Sequence, residues 1–117
     1  MTVYEPGARL FVFDVVPPRE YVGADAYRKN FRNFFALFDG PVKVTISDLA
    51  IAADRNLAYS HSIQRVSGTE KNDKPIDLTV RLTRVYRKIN GRWLIEHEHV
   101  SVPVDLDNDK PDLASKP

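Results

Sequence analysis

The chain is predicted to be an α+β domain in which a curved antiparallel sheet of long hairpins wraps one main helix, and three stretches predict it. The first is Ile76 to Pro103, where two alternating runs flank Asn90-Gly91. That dipeptide is the strongest short hairpin signal, since both turn residues must take positive φ and these two do so at little cost. The second is Ala24 to Phe38, whose Tyr27, Phe31, Phe34, Phe35 and Phe38 recur at helical spacing. The third is a pair of further alternating runs, Val42 to Ala53 and Leu57 to Val66.

In chain order, Leu10 to Val16 (LFVFDVV) reads as a short apolar strand, interrupted by Asp14 and stopped by Pro17-Pro18, which cannot continue a ladder. The helix follows, with Asp25 to cap its start and Asp39-Gly40-Pro41 to stop it. Its aromatic stripe is core and needs a sheet to cover, while Arg28, Lys29, Arg32 and Asn33 fall on the other side. Alternation slips near Asp48-Leu49, as at a bulge. In the next strand Leu57, Tyr59, His61 and Ile63 share one face and Ala58, Ser60, Ser62 and Gln64 the other; size and apolarity put Tyr59 and His61 with the pocket side. The loop 68–75 is polar and expected to be mobile. The domain spans 1–105, and residues 106–117, with little to bury, read as a disordered tail.

Pairing Ile89 with Arg92 across the turn sets Tyr86 opposite Ile95, Arg84 opposite His97 and Leu82 opposite His99. One face then carries Leu78, Val80, Leu82, Arg84, Tyr86, Trp93, Ile95, His97 and His99. It is apolar enough to want burial yet holds three ionisable groups, which must be paired or used. A bent sheet closed by one helix leaves a concavity, expected to be lined by Asp14, Tyr59, His61, Arg84, Tyr86, His97 and His99. Asp14 either accepts backbone hydrogen bonds at a strand end or is a desolvated carboxylate suited to act as a base. The other hairpin face sets Val85, Leu94, Val100 and Val102 among Arg81, Arg87, Glu96 and Glu98. Such a mixture suits the interface of a homodimer packed through the sheet.

Composition narrows the classes. The 117 residues make one domain with a single core. No cysteine occurs, so there is no disulfide framework or thiolate metal site, and a cytoplasmic setting is expected. The N-terminus lacks a signal-peptide pattern, and no apolar run reaches the roughly 18 residues of a membrane helix. Seventeen basic and sixteen acidic residues, interspersed to a net charge of +1, argue against nucleic-acid or membrane partners. The three histidines lack metal-ligand spacing, and neither a metal nor any cofactor is expected.

The stretches PPREYVGADAYR, FFALFDGP and TRVYRKINGRWLIEHEHVSVP resemble the nuclear-transport-factor-2-like, cystatin-like cone superfamily, specifically its SnoaL-like branch. The last also resembles the association domain of calcium/calmodulin-dependent protein kinase II. The resemblance covers roughly residues 4 to 104 and implies the cone fold. That fold hosts isomerases, cyclases, epoxide hydrolases, dehydratases and non-enzymatic hubs. Asp14 falls where the resemblance to ketosteroid isomerases puts the carboxylate that takes a proton beside a carbonyl. Arg84 matches an arginine that in the kinase association domain points into the pocket. The isomerases' oxyanion donors have no counterpart, and Arg84, Val85 and Tyr86 stand near one of their positions. Family members carry helices at the front that close the cone, so the resemblance implies a chain with these N-terminal helices missing or supplied by a partner.

Three functions follow as expectations. One is a dimeric small-molecule-binding domain with a pocket for an anionic or carbonyl-bearing ligand, met by Tyr59, His61, Arg84, Tyr86, His97 and His99. Another is an isomerase, cyclase or dehydratase with Asp14 as general base. The third is an oligomerisation module.

Overall fold

A computed structural model describes residues 3–115. Its main sheet has six strands, β1 (Phe11–Phe13), β2 (Tyr21–Val22), β3 (Lys43–Ala53), β4 (Leu57–Thr69), β5 (Pro75–Ile89) and β6 (Arg92–Ser101), in the order β2-β1-β6-β5-β4-β3. All pairs are antiparallel except β1 with β6. One helix, α1 (Ala24–Ala36), packs on it, as expected for the α+β class. The core is the cluster of Tyr4, Leu10, Val12, Ala24, Tyr27 and Ile95. Leu10 and Val12 are wholly buried, each contributing about 1.5–3 kcal/mol of apolar burial.

Asn90 and Gly91 take φ of 51° and 78° and close the β5–β6 hairpin with Ile89 opposite Arg92, as the turn chemistry requires. The slip at Asp48 is also present: the register shifts between Ser47 and Ala50, and Asp48 takes φ 51°. Gly23, not Asp25, caps α1; its φ of 90° suits glycine, and Asp25 instead pairs with Arg28 inside the first turn. The helix ends at Ala36, and Phe38 goes on to bridge Glu70 and fill the space above Gly68, where a Cβ would lie 3.0 Å from its ring.

Three expectations are corrected. The β5–β6 register holds only as far as Tyr86 opposite Ile95; there Glu96 is extra, so Val85 faces His97 and Arg84 faces Glu98. A single bulged residue reverses every later side chain. On β4, Ala58 and Ser60 lie opposite Tyr86 and Arg84, which turns Tyr59 and His61 to the other face. Size misled there, because the residues beside Tyr86 and Arg84 must be small: Ala58, Ser60 and Ser62 are buried, while Tyr59 is 53 % exposed. Finally, the stretch expected as a tail from residue 106 pairs in part: β8 (Lys110–Pro111) lies against β7 (Val104–Asp105), which precedes it, and the Thr79 amide donates to the Leu113 carbonyl. Asp105 accepting from the Asp107 amide and Asn108 from the Lys110 amide supply the turn. Residues 116 and 117 lie outside the described residues. The loop at 68–75 narrows to a turn at 70–74, tied down by Lys71 N–H to the Leu37 carbonyl and Asp39 N–H to that of Thr69.

Candidate functional site

Between α1 and the concave side of the sheet lies a cavity of about 270 Å³. Its walls are largely apolar: Phe31 and Phe34 from α1, Val44 from β3, and Leu78, Val80 and Leu82 from β5. Polar groups enter at two places. At the end of β1, where the chain turns toward its prolines, Asp14 presents its carboxylate to the cavity. On the floor, the neighbouring strands β5 and β6 bring Arg84 and Glu98 together.

Asp14 is held by local chemistry. Its Oδ1 accepts from the Val15 amide at 2.7 Å and its Oδ2 from Asn30 Nδ2 at 3.3 Å. Asn30 in turn accepts from the Tyr21 hydroxyl at 2.9 Å, so the helix and β2 jointly set the carboxylate's orientation. Burial pushes the Asp14 pKa up, and the charge of Glu98 adds to this; the Val15 amide and Asn30 oppose it. A carboxylate whose pKa is raised in this way is a stronger base than one in water.

Glu98 accepts from three side-chain donors. Arg84 Nε donates to its Oε1 at 2.7 Å, the Tyr4 hydroxyl to Oε1 at 2.9 Å and the Tyr27 hydroxyl to Oε2 at 2.6 Å. Glu98 is 2 % exposed. Burial pushes the Tyr4 and Tyr27 hydroxyls up, and Glu98 pushes them further, so both stay protonated as donors. Burial works against the charge on Arg84, but the Glu98 carboxylate outweighs it and the net shift is upward. Arg84 also interacts with the Tyr4 hydroxyl, and a guanidinium's five N–H donors exceed what Glu98 and Tyr4 together occupy.

Of the seven residues expected to line the concavity, the structure puts Asp14 and Arg84 there. Tyr86 lies on the same face but packs on the core and shares a hydrogen bond of 2.9 Å with Ser60 Oγ. Tyr59, His61, His97 and His99 are on the opposite face. His97 Nδ1 donates to the Phe11 carbonyl at 2.7 Å, and Phe13 sets its ring edge to face against both His97 and His99. Sequence reasoning missed Glu98, Tyr4, Tyr27 and Asn30. The helical stripe identified Tyr27 as core, but nothing in the local pattern signalled the bulge that turns Glu98 inward. Among the described residues no three histidine or carboxylate side chains gather as a metal site.

Residues 2–105 match the family model described as the SnoaL-like domain. The chain belongs to that family. A search of the curated proteins finds no match. Among solved structures, this SnoaL-like domain is similar to an NTF2-like protein of unknown function from Pseudomonas putida KT2440, at 26% identity and a TM-score of 0.85, over 99% of this chain and 79% of that one. It is also similar to a candidate ketosteroid isomerase from Shewanella frigidimarina, at 26% identity and a TM-score of 0.64, over 80% of this chain and 74% of that one. The association domain of C. elegans CaMKII shares the fold, at 17% identity and a TM-score of 0.62, over 86% of this chain and 75% of that one. The SnoaL-like cone thus occurs in proteins of enzymatic and of associative name, and the side chains of the cavity must decide.

Proposed function

We propose that this SnoaL-like domain binds a neutral, carbonyl-bearing small molecule, whose oxygen accepts hydrogen bonds from Arg84. The observation that carries this reading is the Arg84–Glu98 ion pair at the floor of an apolar cavity that also holds Asp14. Two carboxylates against one guanidinium give the interior no spare positive charge, so of the two ligand types expected, the carbonyl is favoured over the anion. The donors of Arg84 beyond those that meet Glu98 and Tyr4 suit a ketone or ester oxygen, and the apolar walls suit its carbon skeleton. The cysteine-free chain fits a cytoplasmic setting, and no helix among the described residues is long and apolar enough to cross a membrane. Titration with 2-acetylnaphthalene, followed by NMR, is expected to shift the Arg84 guanidinium and the Phe31 and Leu82 resonances. Arg84→Lys, which keeps the charge but loses the planar fork, should weaken binding about tenfold. Shifts confined to the outer sheet face would sink the reading.

A second reading is proton transfer, with Asp14 as base. It is favoured by the raised pKa of Asp14 within the same cavity. Asp14 would take a proton from the carbon beside the carbonyl, and Arg84 would stabilise the enolate oxygen that forms. The likeness to a candidate ketosteroid isomerase supports it.

The outer sheet face supports a homodimer. Phe11, His97, Val85 and Tyr59 form one row across β1, β6, β5 and β4, and Phe13, His99, Thr83 and His61 the next. Arg87 Nε donates to Glu96 at 2.8 Å, whereas Glu98 and Val100 have turned inward and leave this face. Its aromatic and half-charged character suits a self-complementary contact. Light scattering at micromolar concentration should give twice the 13.3 kDa chain mass, and Tyr59→Glu with His99→Glu should return a monomer. A wild-type monomer would remove the idea.

A further inference from the structure

We infer that the ligand is bipolar, an oxo acid whose carbonyl end enters the cavity while its carboxylate stays at the mouth on Arg28 and Arg32. This rests on the carbonyl-binding reading above and adds the ligand's other end. A second, more open concavity of about 640 Å³ runs along α1, lined by Tyr4, Arg28, Phe31, Arg32, Phe35 and Ala36. Tyr4, Phe31 and Phe35 also line the inner cavity, so the two spaces adjoin at these three rings.

Charge is sorted along this path. Inside stand Asp14 and Glu98 against Arg84; outside stand two arginines one helical turn apart and hence on one face. Arg28 has an ion pair with Asp25 at 3.0 Å, but that carboxylate is 97% exposed and holds it weakly. Arg32 has no ion pair among the described residues. Between the charged zones the Phe31 and Phe35 rings lie nearly parallel, 6.0 Å apart at 14°, and Phe35 is 53 % exposed. An aromatic surface that borders both spaces and meets water on one side is a place for a flat carbon skeleton to lie. A carboxylate pushed inside would meet Asp14 and Glu98 with like charge and lose its hydration. At the mouth it keeps its water and gains two guanidinium forks. The ligand class that satisfies both ends therefore has its carbonyl and carboxylate at opposite ends of an apolar body.

The test uses three rigid probes that differ only in their polar ends: 2-acetylnaphthalene, 6-acetyl-2-naphthoate and 2-naphthoate. The wild type is expected to bind the acetylnaphthoate about fivefold more tightly than the acetylnaphthalene at low salt, a ratio that shrinks as salt is added, with 2-naphthoate weakest. In Arg28→Gln/Arg32→Gln, which changes one half-buried and one exposed side chain outside the core cluster, the ratio should fall to about one. If acetylnaphthalene binds but the acetylnaphthoate binds no tighter, or if the ratio survives in the double variant, the bipolar assignment is overturned while the carbonyl pocket stands. If neither ketone binds, the pocket reading fails and takes this inference with it. Binding of 2-naphthoate as tightly as the acetylnaphthoate would also overturn it, since the carbonyl would then add nothing.

Discussion

Replacing Glu98 by alanine is expected to destabilise the fold by about 3–5 kcal/mol, the range for removing one partner of a buried ion pair. The change orphans three donors at once. The Tyr4 and Tyr27 hydroxyls sit on buried side chains, and each loses its acceptor. Arg84 keeps partial access to solvent, its side chain being 26% exposed, so its share is the smaller one. Glu98→Gln should lose markedly less, because the amide oxygen still accepts from one side. Against the 5–15 kcal/mol that holds a domain of this kind together, the alanine variant loses a large fraction of its stability and about 10 °C or more in Tm. Urea unfolding measures it directly. A loss below about 1 kcal/mol would mean that the network contributes little to the fold and that water reaches the two tyrosines.

Asp14→Asn should act in opposite directions on stability and on chemistry. For proton transfer the carboxylate must take up a proton from carbon, which an amide cannot do, so exchange of the α-hydrogens of 2-acetylnaphthalene into D₂O should slow about 10²–10⁴-fold if Asp14 is the base. In the wild type that exchange should rise with pH through a midpoint above the ordinary aspartate value of 3.8, because burial pushes Asp14 up. Stability follows from the same shift. A carboxyl whose folded pKa lies above its unfolded value contributes most to stability below pH 3.8, where both states are protonated. That contribution is lost as pH rises through the folded pKa. The amide of the variant never ionises, so Asp14→Asn should melt higher than the wild type at neutral pH, and the difference should close on acidification. Wild-type exchange at the solvent rate would remove the catalytic reading but leave the binding reading intact. A variant that melts lower at pH 7 would show that the Val15 and Asn30 hydrogen bonds outweigh desolvation, and that Asp14 is a structural strand-end carboxylate.

How much of this was legible before folding differs from residue to residue. The hairpin was written in Asn90-Gly91, since positive φ at two successive positions is a local requirement that neighbours do not alter. The helix was written in its aromatic spacing, the bulge at Asp48 in a break of alternation, Asp14 in the rarity of charge within an apolar run, and Arg84 in its alternation with Leu78, Val80, Leu82 and Tyr86. These are properties of short segments, and short segments carry them. Which face of each strand meets the cavity is of another kind. Alternation defines two faces without saying which is inside, and one extra residue at Glu96 exchanged them for the rest of β6, sending His97 and His99 out and Glu98 in. The energy that decides this comes from far along the chain: Tyr4 and Tyr27 reach Glu98 across 94 and 71 residues. On the outer side, Arg87 closes on Glu96 at 2.8 Å. Only when α1, the N-terminal segment and both hairpin strands are packed together does an inward Glu98 have three donors waiting, and a buried carboxylate is stable only where its donors already stand.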